Sequence, residues 1–325
     1  MKVDNKNILS RIWKLLILNQ WVLLFFVVLI ISGVTGSINV RFFAKGNIIN
    51  ILEQISVLGL ISAGATILII SGNFDISVGS MVGLSTSIMA ILMINGVNEG
   101  LASVIGIIIC VLCSTLNGVL SVVFKAPSFI ISLATSGIFY GIALSITQGI
   151  IQTIYGKFEL IAGTRLFEFF PLIFFISIIG YLFVHFILIY TQIGRRIYAI
   201  GSNQRAAFLA GINVNANKIL FFAISGFLVG VSSVLILSRL GGALPSTGAG
   251  IELRAIGAVV IGGVPITGGS GNILGTFFGV LLMGVISNSL NMLRINPYFQ
   301  EMAYGILIII AIAISSLRYR NSGIK

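Results

Sequence analysis

Long apolar stretches separated by short polar punctuation run through almost the whole chain. A helix needs roughly 20 apolar residues to cross about 30 Å of hydrocarbon at about 1.5 Å per residue. By that measure the pattern predicts ten spans: 15–34, 48–70, 76–94, 101–123, 129–146, 169–190, 216–237, 251–264, 273–293 and 298–317. The third and eighth are the weakest, being rich in glycine and bordered by loops that are themselves apolar, so broken or re-entrant segments are expected there. The expected fold class is therefore all-α: a polytopic membrane protein with about ten transmembrane helices.

Composition agrees with the pattern. Of 325 residues, 57% are hydrophobic and only 8% charged. A soluble domain carries about 25% charged residues because its surface must face water. Glycine (38 residues) suits membrane helices whose backbones approach closely. The net charge of +11 raises the question of nucleic acid. The basic residues form no dense stripe, however, and sit beside apolar runs, so no nucleic-acid partner is expected and the bilayer is. Cys110 and Cys113 lie within one apolar run and read as small packing residues. No metal site is expected.

Lys and Arg asymmetry predicts orientation. With the N-terminus inside, 12 basic residues face the cytoplasm (Lys2, Lys6, Arg11, Lys14, Lys125, Arg195, Arg196, Arg205, Lys218, Arg318, Arg320 and Lys325) and 7 face outward. Both termini are then cytoplasmic: 1–14 before the membrane domain of 15–317, and 318–325 after it. The first apolar run is long and lacks a small-x-small cleavage site, so it reads as a retained helix rather than a signal peptide. The longest inside connection is 191–215.

Three segments carry information beyond hydropathy. The first is Ser71-Gly-Asn-Phe-Asp75-Ile-Ser77-Val-Gly79-Ser80, where Asp75 is an acid between two apolar helices. An ionisable group at membrane depth costs about 2.5–3.5 kcal/mol on insertion scales. Either it caps the third helix, accepting N–H bonds around Ser77 and Val78, or it lines a substrate or proton path; Asp then Ser at a helix start favours the cap. The second runs Gly194 to Val214. Asn203 is an N-cap candidate, residues 204–210 favour helix, and Gly211 is a stop signal. This predicts a two-turn helix in a polar loop, either resting on the headgroups or docking into a partner. The third, 248–271, is glycine-dense and suits tight helix crossings or an unwound cavity lining. It is no phosphate loop, since no Gly-Lys-Ser/Thr sequence is present.

Taken in order, these segments resemble the permease subunits of ribose-type ABC sugar importers, from about residue 47 to 318. The resemblance rests on Gly72 to Gly79, on Gly194 to Ile212, on Glu252 to Gly263, and on Pro127-Ser-Phe129-Ile and Asn288-Ser-Leu-Asn291. It implies that Asn203, Gln204, Arg205, Ala206, Ala207 and Gly211 form a helix inserting into a cleft on a separate ATP-hydrolysing subunit. Ala206 and Ala207 would pack closely there, and Arg205 would meet acidic groups. Asp75, Ser77, Gly79, Glu252, Gly262 and Gly263 carry over as structural motif positions. It further implies an extracytoplasmic sugar-binding protein, a second permease copy (identical or related), and location in the bacterial inner membrane. ATP is bound by the partner, leaving this chain no cofactor of its own and no enzymatic role. Arg254, Pro265 and the Ser-Asn-Ser around Asn288 depart from the family pattern, so ribose itself is not implied.

Polar residues at membrane depth are the candidates for a solute path. Most Ser and Thr bond their own helix backbone, which leaves Asn117, Asn288 and Asn291 as the informative ones. The expected function is a permease moving a monosaccharide by alternating access. Related importers of nucleosides or branched-chain amino acids are the alternative. An ion-driven carrier would need buried ionisable residues in several spans, and a membrane enzyme a cluster of His, Asp or Glu. The chain has one His.

Overall fold

The computed structural model describes residues 20–321, so the predicted basic flank Lys2, Lys6, Arg11 and Lys14, and Lys325 at the other end, lie outside the described residues. Thirteen α-helices are present in that span: α1 (Gln20–Ile38), α2 (Lys45–Ile70), α3 (Val78–Ile94), α4 (Glu99–Val123), α5 (Ser128–Thr147), α6 (Glu159–Gly163), α7 (Leu172–Tyr190), α8 (Gln192–Ser202), α9 (Gln204–Leu209), α10 (Val214–Leu240), α11 (Ile251–Ile261), α12 (Ile273–Met292) and α13 (Pro297–Asn321). Each predicted span holds one helix. Seven of these, α1, α2, α4, α5, α7, α10 and α12, are long and apolar enough to cross a membrane. The chain is thus a helical, polytopic membrane protein.

The two weak segments are the short ones. α3 has 17 residues, and α11 stops after 11. Residues 262–272 are not helical. Gly263 takes φ +96°, and a β-carbon at Gly262 would lie 2.5 Å from the Gly275 carbonyl at the start of α12. The α11–α12 turn is therefore packed backbone to backbone, which only glycine permits.

Several helices start on an asparagine cap. Asn98, Asn213 and Asn272 each accept a hydrogen bond from the backbone N–H three residues on, at 2.7, 3.0 and 2.6 Å. The burial pattern is that of a membrane protein. On α4 the exposed stripe is Leu101, Val104, Ile108, Leu112 and Leu116, while Ala102, Gly106, Cys110, Ser114 and Asn117 face inward. Small and polar residues make the helix contacts, and large apolar ones are left for lipid.

α2 and α10 cross antiparallel at the centre. Arg239 Nη2 donates to Asn50 Oδ1 at 2.6 Å, Ser232 Oγ to the Val57 carbonyl at 2.9 Å, and Gly64 faces Ser225. The surrounding helices repeat one arrangement. α10 packs on α4 as α2 packs on α12; α3 packs on α4 and α5 as α11 packs on α12 and α13. Because α2 and α10 run antiparallel, α2–α5 and α10–α13 are inverted copies of one unit.

Two features depart from a purely helical expectation. β1 (Gln152–Thr153) pairs antiparallel with β4 (Gly242–Ala243), and β2 (Arg165–Leu166) with β3 (Phe170–Pro171). The β2–β3 ladder lies within the long connection after α5, and the β1–β4 ladder ties that connection to the stretch after α10; such short pairings satisfy backbone groups that no helix takes up. The same connection is pinned by Glu53 on α2, whose carboxylate meets Arg165 at 2.9 Å and Arg239 at 3.4 Å.

Candidate functional site

Asp75 stands in the non-helical turn between α2 and α3, buried, with polar partners on both carboxylate oxygens. Its Oδ1 accepts the Ser77 backbone N–H at 3.0 Å, the Ser77 hydroxyl at 2.6 Å and Asn117 Nδ2 at 3.2 Å; Oδ2 accepts from Ser114 Oγ at 3.2 Å. Ser77 occupies the N-cap position of α3, so Asp75 braces the turn one step before the helix. Asn117 also donates to Ser77 Oγ at 2.8 Å and accepts from Thr135 Oγ1 at 2.6 Å. Three helices and one turn are fastened at this point.

A second fastening joins the starts of α3 and α11. A β-carbon at Gly79 would overlap Glu252 Oε2 and lie 2.5 Å from the Gly248 carbonyl. Gly79 and Glu252, singled out separately in the sequence, therefore meet at one crossing. Gly262 and Gly263 belong to the α11–α12 turn instead. The three candidate path asparagines are not gathered in one place. Asn117 belongs to the Asp75 cluster. Asn288 exchanges paired amide bonds with Asn47 at 2.9 and 2.8 Å, and Asn291 accepts from Gln300 at 2.9 Å, both towards the opposite end of the molecule.

The polar loop after α7 holds two helices rather than one. α8 was not foreseen, although Ile193, Ile197 and Ile200 on one face give a helical period that signals it. α9 follows at Gln204–Leu209, with Asn203 Oδ1 accepting the Ala206 N–H at 2.9 Å. Gly211 at φ +83° ends the segment. α8 is docked on the bundle: Tyr198 donates to the Gly271 carbonyl at 2.8 Å, and Gly201 packs directly on the Ile70 carbonyl. Gly269 N–H donates to that same carbonyl at 2.8 Å. Burial raises the Tyr198 pKa above the ordinary phenol value.

The exposed residues of α9 differ from those expected. Ala206 and Arg205 are exposed, but Ala207 is buried against its own chain. The apolar surface is presented by Phe208 and Leu209, 67% and 78% exposed. An adjacent apolar pair in an otherwise polar loop was the available signal, and the sequence reading passed over it.

Two cavities lie at opposite ends of the α2–α10 crossing. One, of about 170 Å³, is bounded by the first half of α2, the ends of α10 and α12, and the starts of α11 and α13. The other, of about 500 Å³, is bounded by the end of α2, the end of α4 and the starts of α5 and α10, beside α8 and α9. Exchanging the two inverted units exchanges the cavities. The larger carries Lys125 and Lys218, the latter donating to Ser121 Oγ at 2.6 Å, and no carboxylate.

Over residues 47–312 the sequence matches the family described as branched-chain amino acid transport system, permease component. It is 36% identical over 293 residues to the ribose import permease protein RbsC of Bacillus subtilis, covering 89% of each chain. It is likewise 36% identical over 299 residues to the D-allose transport system permease protein AlsC of Escherichia coli, covering 90% of each. The fructose import permease protein FrcC of Rhizobium meliloti is 31% identical over 286 residues, 84% of this chain and 79% of that one. No solved structure matches.

Proposed function

The chain belongs to the family of branched-chain amino acid transport system permease components, and from that premise we propose that it is the membrane-spanning subunit of an ATP-driven importer that moves a monosaccharide. The observation that carries this reading is the likeness, over about 90% of the chain, to import permeases for ribose and allose. It is a transport component of the membrane, not an enzyme.

In this reading all ten apolar helices belong to the membrane domain, both termini are cytoplasmic, and the α8–α9 face is cytoplasmic. α9 is the contact with a separate ATPase, which binds the nucleotide; the pair Phe208 and Leu209, with Asn203, Gln204, Arg205 and Ala206 around them, forms its surface. The docking of α8 supports a mechanical role. Force on α9 passes through Gly201 to Ile70 at the end of α2 and through Tyr198 to the turn before α12. Those elements bound the cytoplasmic cavity and the central crossing, so a push on α9 reaches the helices that must part for alternating access. A sugar-binding protein delivers cargo at the opposite face, and a second permease copy completes the assembly. Asn117, Asn288 and Asn291 remain path candidates in the weaker sense that they fix helices beside it.

The test is uptake of labelled D-ribose, D-allose and D-fructose by proteoliposomes carrying the chain with its ATPase and binding protein. ATP-dependent accumulation of one of them is expected. Deleting residues 204–210 should abolish it while membrane insertion persists; unchanged uptake after that deletion would remove α9 from the mechanism.

A further inference from the structure

The larger cavity, at the α9 end of the molecule, carries an unbalanced charge. Lys125 and Lys218 line it, and no carboxylate does. The smaller cavity differs in this respect. Its cations are Arg239 and Arg254, and each is paired with a glutamate, Glu53 at 3.4 Å and Glu301 at 2.8 Å. Among the described residues neither Lys125 nor Lys218 has an acidic partner within ion-pair distance. Lys125 is exposed. Lys218 is partly exposed and commits one of the three N–H donors of an ammonium to Ser121 Oγ at 2.6 Å.

Local structure gathers these cations at the turn from α4 to α5. Ser121 Oγ, which holds Lys218, itself donates to the Ala126 carbonyl at 2.7 Å, so the α10 lysine is brought to the turn that carries Lys125. Lys125 takes φ +52°, the left-handed conformation that glycine favours just past a helix end. Pro127 then stands at the N-cap position of α5 and offers no side-chain acceptor. The positive end of this 20-residue helix is therefore uncapped by any side chain, and Pro127, Ser128 and Phe129 belong to the cavity wall. Lys125 comes from one inverted unit and Lys218 from the other, so an anion held by both links the two units at this end.

The surroundings decide which anion fits. Val123 and Phe124 at the end of α4 are exposed, as are Phe129 and Ile130 at the start of α5. On helices that cross the bilayer, such side chains lie against acyl chains. Phe129 also lines the cavity, so the cationic wall and the apolar rim are contiguous. A phosphate in the cavity would have hydrocarbon running beside it along α4 and α5. The cavity, at about 500 Å³, is far above the roughly 10–15 Å³ that one water needs. Basic pockets between membrane helices bind anionic headgroups.

We propose that this cavity binds the phosphate of an anionic phospholipid, with Lys125 and Lys218 as its cationic ligands and the start of α5 as a third positive element. The site is distinct from any cargo path and stands whichever solute the chain moves.

Native mass spectrometry of the full-length chain, titrated with phosphatidylglycerol or with phosphatidylcholine, tests it. The parent should bind one phosphatidylglycerol in clear preference to phosphatidylcholine. Lys125→Gln changes an exposed side chain and should lower phosphatidylglycerol affinity about fivefold; with Lys218→Gln added the loss should reach about thirtyfold. Lys125→Arg should bind as the parent does. Arg195→Gln with Arg196→Gln removes the same charge from exposed positions on α8 outside the cavity wall, and should change affinity by less than about twofold. Equal losses in the arginine and lysine pairs would show diffuse attraction to the surface and overturn the site. Parental affinity in Lys125→Gln and in the double lysine variant would overturn it as well; if the ATPase then failed to co-purify with that double variant, the cavity would belong to that partner. Inorganic phosphate separates the two sources of the group. Were millimolar inorganic phosphate to raise the unfolding midpoint of the parent and not of the double lysine variant, with no phosphatidylglycerol bound, a soluble phosphate compound would replace the lipid.

Discussion

Asn117 on α4 donates from Nδ2 to Asp75 Oδ1 at 3.2 Å, across the turn that separates α2 from α3. The amide and the carboxylate are therefore one structural unit. The carboxylate acts through acceptor geometry: it holds Ser77 N–H, Ser77 Oγ, Asn117 and Ser114 at once. Asp75→Asn preserves an oxygen for the Ser77 pair and Asn117, and its new N–H₂ can donate to Ser114 Oγ. This variant should retain at least about half of parental uptake. Asp75→Leu strands the Ser77 N–H and hydroxyl at about 1–3 kcal/mol each, while Ser114 keeps the Phe222 carbonyl and Asn117 keeps Ser77 Oγ; uptake should fall below about a tenth with a clearly lowered unfolding midpoint. Equal and complete loss in both variants would mean that the charge itself is needed.

Gly201 on α8 has the Ile70 carbonyl where a β-carbon would go, and Gly269 N only 2.8 Å from the same point. Both neighbours are backbone and cannot swing aside. Gly201→Ala should lift α8 from the end of α2 at a cost of about 1–3 kcal/mol, the range for overpacking. Because the contact is peripheral, the variant should still insert in the membrane. Basal ATPase activity of the assembled complex should persist, and its stimulation by the loaded binding protein should be lost. Retained stimulation would show that force does not travel through α8.

How much of this was legible beforehand depends on the range of the interaction. The spans were readable because hydrocarbon imposes apolar composition on every helix, wherever its partners lie. The α9 start was readable because Asn203 acts on Ala206, three residues away. The Gly79–Glu252 crossing was visible only as two separate motifs, since their meeting depends on how α3 and α11 pack. Asn288 looked like a path residue because its partner, Asn47, lies 241 positions earlier in sequence. The cavity near Tyr304 needs five helices to exist, and no local pattern announces it. α8 is the exception: its isoleucine period is local, yet the sequence reading assigns helix only to 204–210 in this loop.

Phe208 and Leu209 are among the exposed large apolar residues, and they sit on a short helix in the most polar connection of the chain. Their replacement removes little packing inside the chain. Phe208→Ser with Leu209→Ser should alter stability by no more than about 0.5 kcal/mol, as for other surface changes. If α9 enters a cleft on the ATPase, the double variant should nonetheless lose complex formation on co-purification, and uptake with it. Asn203→Ala is the complementary change. It leaves the apolar pair in place but weakens the cap by about 1 kcal/mol, so its complex should form more weakly rather than vanish. A double variant that co-purifies normally would place the contact elsewhere.

Gly64 of α2 packs directly on Ser225 of α10, a β-carbon at Gly64 falling 2.8 Å from Ser225 Oγ and 3.2 Å from its Cα. The crossing separates the two cavities, so its spacing sets whether they stay apart. Gly64→Ala should destabilise by about 1–3 kcal/mol through overpacking and lower uptake. Ser225→Gly alone removes the hydroxyl and costs only about 0.5 kcal/mol in helix propensity. Combined, the two changes let the new methyl group occupy the space of the old hydroxymethyl group. The double variant should then recover most of the lost stability, giving a coupling energy of about 1 kcal/mol or more where independent sites would give none. Uptake should recover in parallel if the helix spacing governs transport. Recovery of stability without uptake would assign Ser225 a part in the path beyond packing. Recovery of neither would mean that the 3.2 Å approach to the α10 backbone, which no side-chain change relieves, sets the limit at this crossing.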